Sequence, residues 1–245
     1  MSDGRPVQLH CFAHSEGGVS VFEHWAASTG AGVEVKPVPL PRGARAVTTR
    51  EALLAELLPR FTAAGPGLYV FYGHGLGAMV AFTVTRALHE AGLPGPALLA
   101  VGACPAPPHA PAALPDARGA TDAELLDILG GKGAVPATSD EGIWLQAMLP
   151  VLRADLELAQ ALDEGARTPS AAGPLNTPIL VVAAQGNPLA PPTIADGWRQ
   201  WTDGPSWLRT VPDRHFFARS RTLPRLLGRA CRVADRVTRE RVPVA

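Results

Sequence analysis

Short apolar runs and segments of helical spacing alternate along the 245 residues. Residues 7–12, 33–39, 68–71, 97–102, 178–183 and 207–211 are apolar or alternating and are bounded by Gly, Pro and polar clusters, which predicts strands. Between them, 21–27, 50–63, 78–91, 194–201 and 223–237 read as helices; in 50–63, Leu53, Leu54, Leu57, Leu58 and Phe61 fall on one side. One stretch interrupts the alternation. Residues 121–166 read as helix throughout, opened by Thr121-Asp122-Ala123-Glu124 in the pattern of a capping box, with apolar residues on one face of 145–162. Alternation of this kind predicts an α/β fold with a doubly wound, mostly parallel sheet whose functional loops gather at the carboxyl ends of the strands. No Pro/Gly/Ser-rich linker divides the chain, so 1–245 is expected as one domain, with the helical stretch of about 118–168 inserted above those loops as a lid.

The link between the third strand and the next helix turns architecture into chemistry. Tyr72-Gly73-His74-Gly75-Leu76-Gly77-Ala78-Met79 has the strand, sharp turn and helix context of a G-x-S-x-G nucleophile elbow, so the expected architecture is an α/β-hydrolase fold. Where the motif needs serine stands Gly75. Glycine keeps the tight turn and removes the hydroxyl that attacks.

Acidic and basic residues balance at 22 each and the pI is about 7.1, so bulk composition offers no electrostatic footprint for nucleic acid or an anionic membrane. A small molecule or another protein is the expected partner. Cys11, Cys104 and Cys231 are too widely spaced for a disulfide framework or a zinc site and are expected as buried thiols; His10, His24, His89 and His109 show no ligand spacing, so no metal site is expected. The first residues lack the pattern of a secretory signal, and no apolar stretch reaches the roughly 20 residues that span a bilayer. A cytoplasmic protein is expected. Gly130-Gly131-Lys132-Gly133 lacks phosphate-loop spacing and reads as a turn in the lid.

Five segments, in order along nearly the whole chain, give the sequence a resemblance to the type II thioesterases of polyketide and nonribosomal peptide synthetases. Leu9-His10-Cys11-Phe12-Ala13-His14 through Phe22 is similar to that family's first strand and oxyanion loop, and Pro39-Leu40-Pro41-Arg42-Gly43-Ala44-Arg45 to its L-P-G-R-x-x-R loop. Phe71 to Ala81 resembles its elbow apart from Gly75, Leu149-Pro150-Val151-Leu152-Arg153-Ala154-Asp155 its lid helix, and Val211 to Phe217 its histidine loop, with His215 in the catalytic place. The resemblance implies an α/β-hydrolase that removes acyl groups from the phosphopantetheine arm of an acyl or peptidyl carrier protein, with no cofactor of its own. It also implies a site: the backbone amides of Ser15 and Leu76 as oxyanion hole, and His14, which also shapes the oxyanion loop, Cys104, Met79 and Leu152 as substrate-binding residues.

Three residues depart from the family pattern. Gly75 stands at the nucleophile, Asn187 in Gln185-Gly186-Asn187-Pro188 stands where the acid belongs, and Glu16 in Ser15-Glu16-Gly17 stands where the family commonly has Ala-Gly-Gly. An amide in the acid position fails to stabilise an imidazolium and favours the wrong histidine tautomer, a change worth about 10⁴ in rate in serine hydrolases.

The altered site admits two functions. The first is non-covalent acid/base catalysis on a carrier-bound or released polyketide or peptide intermediate, in pathways of the kind that make antibiotics. The reaction would be cyclisation, elimination or isomerisation, with slow hydrolysis as a further capacity. His215 would move protons, and Glu16 and Asn187 would orient substrate or His215. The second is a catalytically inactive pseudo-thioesterase that binds a carrier protein or partner enzyme and shields an intermediate; His215 then only packs or hydrogen-bonds, and Glu16 is a solvated loop residue. Ordinary thioesterase activity through Ser15 or Cys104 would need a hydroxyl or thiol within hydrogen-bond reach of His215. His74 reads as structural, and Arg153 and Asp155 as locally paired surface charges.

Overall fold

The computed structural model describes residues 5–12, 20–41, 46–62, 67–107, 119, 121–125, 140–187, 189–212, 218 and 220–241, with the side chains of 140–146 and 241 outside that description. Six strands, β1 (Val7–Phe12), β2 (Val33–Val38), β3 (Tyr69–His74), β4 (Leu99–Gly102), β5 (Ile179–Ala184) and β6 (Ser206–Val211), form one sheet in the order β2-β1-β3-β4-β5-β6. All of these pairings are parallel, as the alternation of elements implied. In β3, β4 and β5 every residue is buried, because helices cover both faces, and the sequences there are accordingly apolar apart from His74 at the end of β3. The outer strands are less buried, β2 mostly half-buried and β6 with several exposed positions, and Pro37 is tolerated in β2 because it is an edge strand.

The period-two alternation of strand residues divides the core. Phe71, Val101 and Val181 point to one face, where they meet Leu53, Phe61, Phe82, Leu158 and Trp198; Tyr72, Ala100 and Val182 point to the other, where they meet Phe22, Trp25, Leu223 and Leu227. The first face is covered by α3 (Arg50–Leu57), α4 (Pro59–Thr62), α5 (Leu76–Glu90) and α6 (Asp140–Arg167), and by a 3-10 helix (Asp196–Trp201) that continues α7 (Pro192–Ala195). The second is covered by α1 (Ser20–Glu23), α2 (Ala26–Thr29) and α8 (Thr222–Arg241).

Two predicted helices are broken in the structure. The stretch 50–63 divides at Pro59, which lacks the N–H that would continue α3. The stretch 21–27 divides at Trp25, whose ring is buried and whose Nε1 donates to Ala218 O at 3.1 Å. The capping box at Thr121 is present: Thr121 N–H donates to Glu124 Oε2 at 2.7 Å and Glu124 N–H to Thr121 Oγ1 at 3.3 Å. Arg153 of α6 reaches Asp122 of this capped turn at 2.9 Å.

The far end of α6 is held by Arg86 of α5. Its guanidinium donates to Gly165 O at 3.2 Å, Ala166 O at 3.4 Å and Thr168 O at 2.6 Å, so a cation meets carbonyls that the helix end leaves unsatisfied. Its Nε bonds Glu90 at 2.7 Å, and Arg50 lies 3.6 Å from the same carboxylate. Burial alone would raise Glu90, but hydrogen bonds from Arg86 and Ser170 and the charge of Arg50 outweigh it and hold the carboxyl below its ordinary value.

Candidate active site

Sheet order places β1 between β2 and β3, so the chain leaves β1 in one direction and β3 in the other. The carboxyl edge at such a switch point is where open α/β sheets hold ligands. The link from β3 to α5 lies at that edge, and three glycines shape it. A Cβ on Gly73 would stand 2.1 Å from Gly77 O and 2.4 Å from Ala78 Cα, so β3 touches the first turn of α5 backbone to backbone. Gly75, at the tip, has φ 56° and ψ −124°, a conformation that L side chains adopt only under strain. Its N–H donates to Gly102 O of β4 at 2.9 Å and its carbonyl accepts from Ala78 N–H at 2.9 Å. The strand, sharp turn and helix expected of an elbow are therefore present here, with no side chain at the tip. Leu76 is the first residue of α5, where an amide has no carbonyl one turn back to donate to.

The loop leaving β4 runs beside this turn, since His74 pairs with Gly102. Ala103 has φ 53°, the left-handed region without a glycine to relieve it. Two tryptophans pin the residues after it: Trp198 Nε1 donates to Cys104 O at 3.0 Å, and Trp201 Nε1 to Pro107 O at 2.8 Å. Both rings also pack edge-on against Phe82 of α5. Cys104 is buried, its Sγ lies 3.3 Å from Pro105 O, and burial together with nearby Asp163 pushes its thiol up to about 12. It is a neutral thiol at ordinary pH and so a poor nucleophile.

Asn187 follows β5 on the same edge and is 1% exposed. Its Oδ1 accepts from Leu189 N–H at 3.0 Å, the hydrogen bond of an Asx turn, and its own N–H donates to Ala184 O at 3.2 Å. The side-chain oxygen is thus engaged in shaping its own loop. Behind the elbow, the Tyr72 hydroxyl and His74 Nδ1 are 2.8 Å apart in the buried layer, and burial, with Cys11 nearby, pushes the Tyr72 phenol well up. Both residues are part of the packing under the turn.

The thioesterase domain profile matches residues 7–231. The chain belongs to the thioesterase domain family. Thioesterase PikA5 of Streptomyces venezuelae is 31% identical over 221 residues, spanning 86% of this chain and 75% of its own length. Among solved structures, the RedJ thioesterase of the prodiginine biosynthetic pathway in Streptomyces coelicolor superposes with a TM-score of 0.75 at 31% identity, covering 92% of this chain and 85% of that one. ClbQ of the colibactin pathway shares the fold, with a TM-score of 0.78 at 18% identity over 95% of this chain and 99% of that one.

Within this thioesterase-family chain, the residues expected from sequence fall into two groups. Gly75, Leu76, Cys104 and Asn187 come from three adjacent strand ends on the carboxyl edge. Met79 is buried in the core beneath, and Leu152 packs with Leu149 and Leu156 of α6 and Leu125 of the capped turn in a small separate cluster. His14, Ser15, Glu16 and His215 lie outside the described residues, as do Arg42 to Arg45 of the second loop and Gly130 to Gly133. Sequence reading passed over Trp198 and Trp201, although their i,i+3 spacing on a predicted helix marks a shared face. Ala103 carried no such mark.

Proposed function

We propose that this thioesterase-family protein serves polyketide or nonribosomal peptide biosynthesis, acting on a carrier-bound or released acyl intermediate by acid/base chemistry that forms no acyl-enzyme. The supporting observation is Gly75 itself. It makes the sharp strand-to-helix turn with φ 56°, which sets the amino end of α5 at the carboxyl edge, but offers no hydroxyl. Oxyanion stabilisation and binding survive such a loss, and in serine hydrolases those alone leave about 10³ to 10⁴ over water. In this reading Gly75 and Asn187 occupy the nucleophile and acid positions, the amides of Ser15 and Leu76 hold a developing oxyanion, His215 moves protons, Glu16 and Asn187 orient substrate or His215, and the segment about 118–168 acts as the lid of a single domain. Cyclisation, elimination and isomerisation suit it better than hydrolysis. In this reading the work is done in the cytoplasm; no helix among the described residues is long and apolar enough to cross a membrane.

A second reading, a pseudo-thioesterase that binds a carrier protein and shields its cargo, draws support from the neutral Cys104 thiol and the Asn187 oxygen engaged in its own loop. Single-turnover mass spectrometry separates the two. Acyl-loaded carrier proteins and soluble thioesters are mixed with wild type, Gly75→Ser and His215→Ala, and both release and isomeric change are followed. Conversion by wild type that disappears in His215→Ala supports catalysis. Binding without conversion, with Gly75→Ser equally inert, supports the binding role.

A further inference from the structure

We propose that the exposed face of α8 is a docking surface for an acidic protein partner, received through a helix that carries carboxylates beside an apolar row. Formal neutrality of the whole chain conceals an uneven distribution: residues 219–241 hold eight arginines against Asp235 and Glu240, and the remainder of the chain is correspondingly acidic. On α8 the basic residues are ordered. Arg225, Arg229, Arg232, Arg236 and Arg239 follow one another at steps of four, three, four and three, which sets them in one row along the helix, and all five are exposed. The opposite side of α8 is fixed to the core. Leu223, Leu227 and Cys231 are buried, and a Cβ on Gly228 would stand 1.9 Å from Thr29 O, so α8 lies directly against α2.

Within the row, Arg232 donates to Thr29 O at 2.9 Å and Arg239 pairs with Asp235 at 2.7 Å. Arg225, Arg229 and Arg236 make no hydrogen bond or ion pair with any described residue. Like charges at this spacing weaken a helix, and for these three no hydrogen bond or ion pair with a described residue offsets the repulsion. Beside the row run Val233 and Val237, one turn apart, 58% and 39% exposed. Together they form an apolar strip edged by guanidinium groups.

That combination selects the partner's chemistry. A phosphate backbone needs only charge and leaves the valines facing water, whereas a protein surface uses both, with apolar side chains at the centre and arginine at the rim. A membrane-surface helix lays its apolar side into the bilayer, and that side of α8 is already occupied by the core. Every cation in the row is arginine, whose planar fork pairs with carboxylates in two-point fashion. Since α8 covers the face of the sheet opposite α5 and α6, a partner held there leaves the elbow face uncovered. Docking at α8 is independent of the chemistry at Gly75, because its readout is binding and not turnover.

The test uses the full chain and three probes: a synthetic amphipathic helical peptide with glutamate rows flanking a leucine row, poly(U) RNA, and vesicles containing phosphatidylserine. Fluorescence anisotropy should show peptide binding that weakens with salt, falls at least about tenfold in Arg225→Glu/Arg229→Glu/Arg236→Glu, and falls about threefold in Val233→Ser/Val237→Ser with the salt dependence retained. The charge-reversed variant should regain affinity for a peptide whose glutamates are replaced by lysine, which shows that it is folded and that charge pairing is the cause. Peptide affinity indifferent to the reversal, no peptide binding by wild type, or RNA or vesicles bound more tightly than the peptide and released by the same reversal would each overturn the proposal.

Discussion

Gly75 and Ala103 stand at the ends of neighbouring strands, with φ of 56° and 53°, and they bear that geometry differently. For Gly75 the positive φ costs little, because there is no Cβ to collide. For Ala103 the same kind of turn costs about 1–2 kcal/mol, which the surroundings must supply. They supply it through Trp198, whose indole donates to the next carbonyl, and Trp201, which holds Pro107 further along. One turn on this edge carries no side chain at its tip and bears its positive φ freely. Its neighbour keeps both the strain and the clamp that maintains it. Similar positive φ angles on one edge are thus reached by two routes, an absent Cβ at Gly75 and an external clamp at Ala103.

The widest separation between the two turns should come from Trp198. Trp198→Ala removes a fully buried ring along with its hydrogen bond and is expected to cost about 3–5 kcal/mol in urea denaturation, while Trp198→Phe, which leaves the Cys104 carbonyl unpaired, should cost about 1–3 kcal/mol. Gly75→Ala comes next, at about 1–3 kcal/mol, since it restores a Cβ to the left-handed tip; a cost near zero would show that the turn relaxes freely and would erase the contrast. Alkaline stability probes the Ala103 side. The Cys104 thiol moves from an ordinary 9.0 to about 12, and Cys231 and Tyr69 are likewise raised to about 12. A raised folded value favours the protonated form, so this stability is fully present below about pH 9 and is lost as pH climbs towards 12. Cys104→Ala should flatten that decline in part, measured as the midpoint of urea unfolding at pH 8 and pH 10. The smallest effect belongs to Ala103→Gly. Relief of about 1–2 kcal/mol of strain exceeds the roughly 0.4–1 kcal/mol of added chain entropy, so a net gain of about 0.5–1 kcal/mol is expected in the same assay.

The strands were legible because burial on two faces leaves the same mark in sequence as in space, as Val7 to Phe12 and Ile179 to Ala184 illustrate. The capping box at Thr121 and the elbow glycines were legible for a related reason: each is a local requirement met by nearby residues. The features that escaped reading depend on contacts distant in sequence. Ala103 is left-handed because indoles about a hundred residues away secure its loop, and no window around an alanine contains that information. The arginine row of α8 was hidden for another reason, because summing charge over the whole chain discards where the charge lies. At the site itself, Gly75 and Asn187 were visible as unusual residues in a familiar order, whereas the turn that Asn187 makes with Leu189 emerges only from coordinates.

Arg86 gives α5 a second duty. The helix begins at the elbow, and eleven residues later its guanidinium holds the closing carbonyls of α6, so the two places are joined by a stiff rod of about 16 Å. A rod transmits displacement. The turn at Gly75 and the closing turn of α6 are thus geared together, and with Leu158, Leu162 and Ala166 buried in the core, the carboxyl half of α6 moves only as α5 moves.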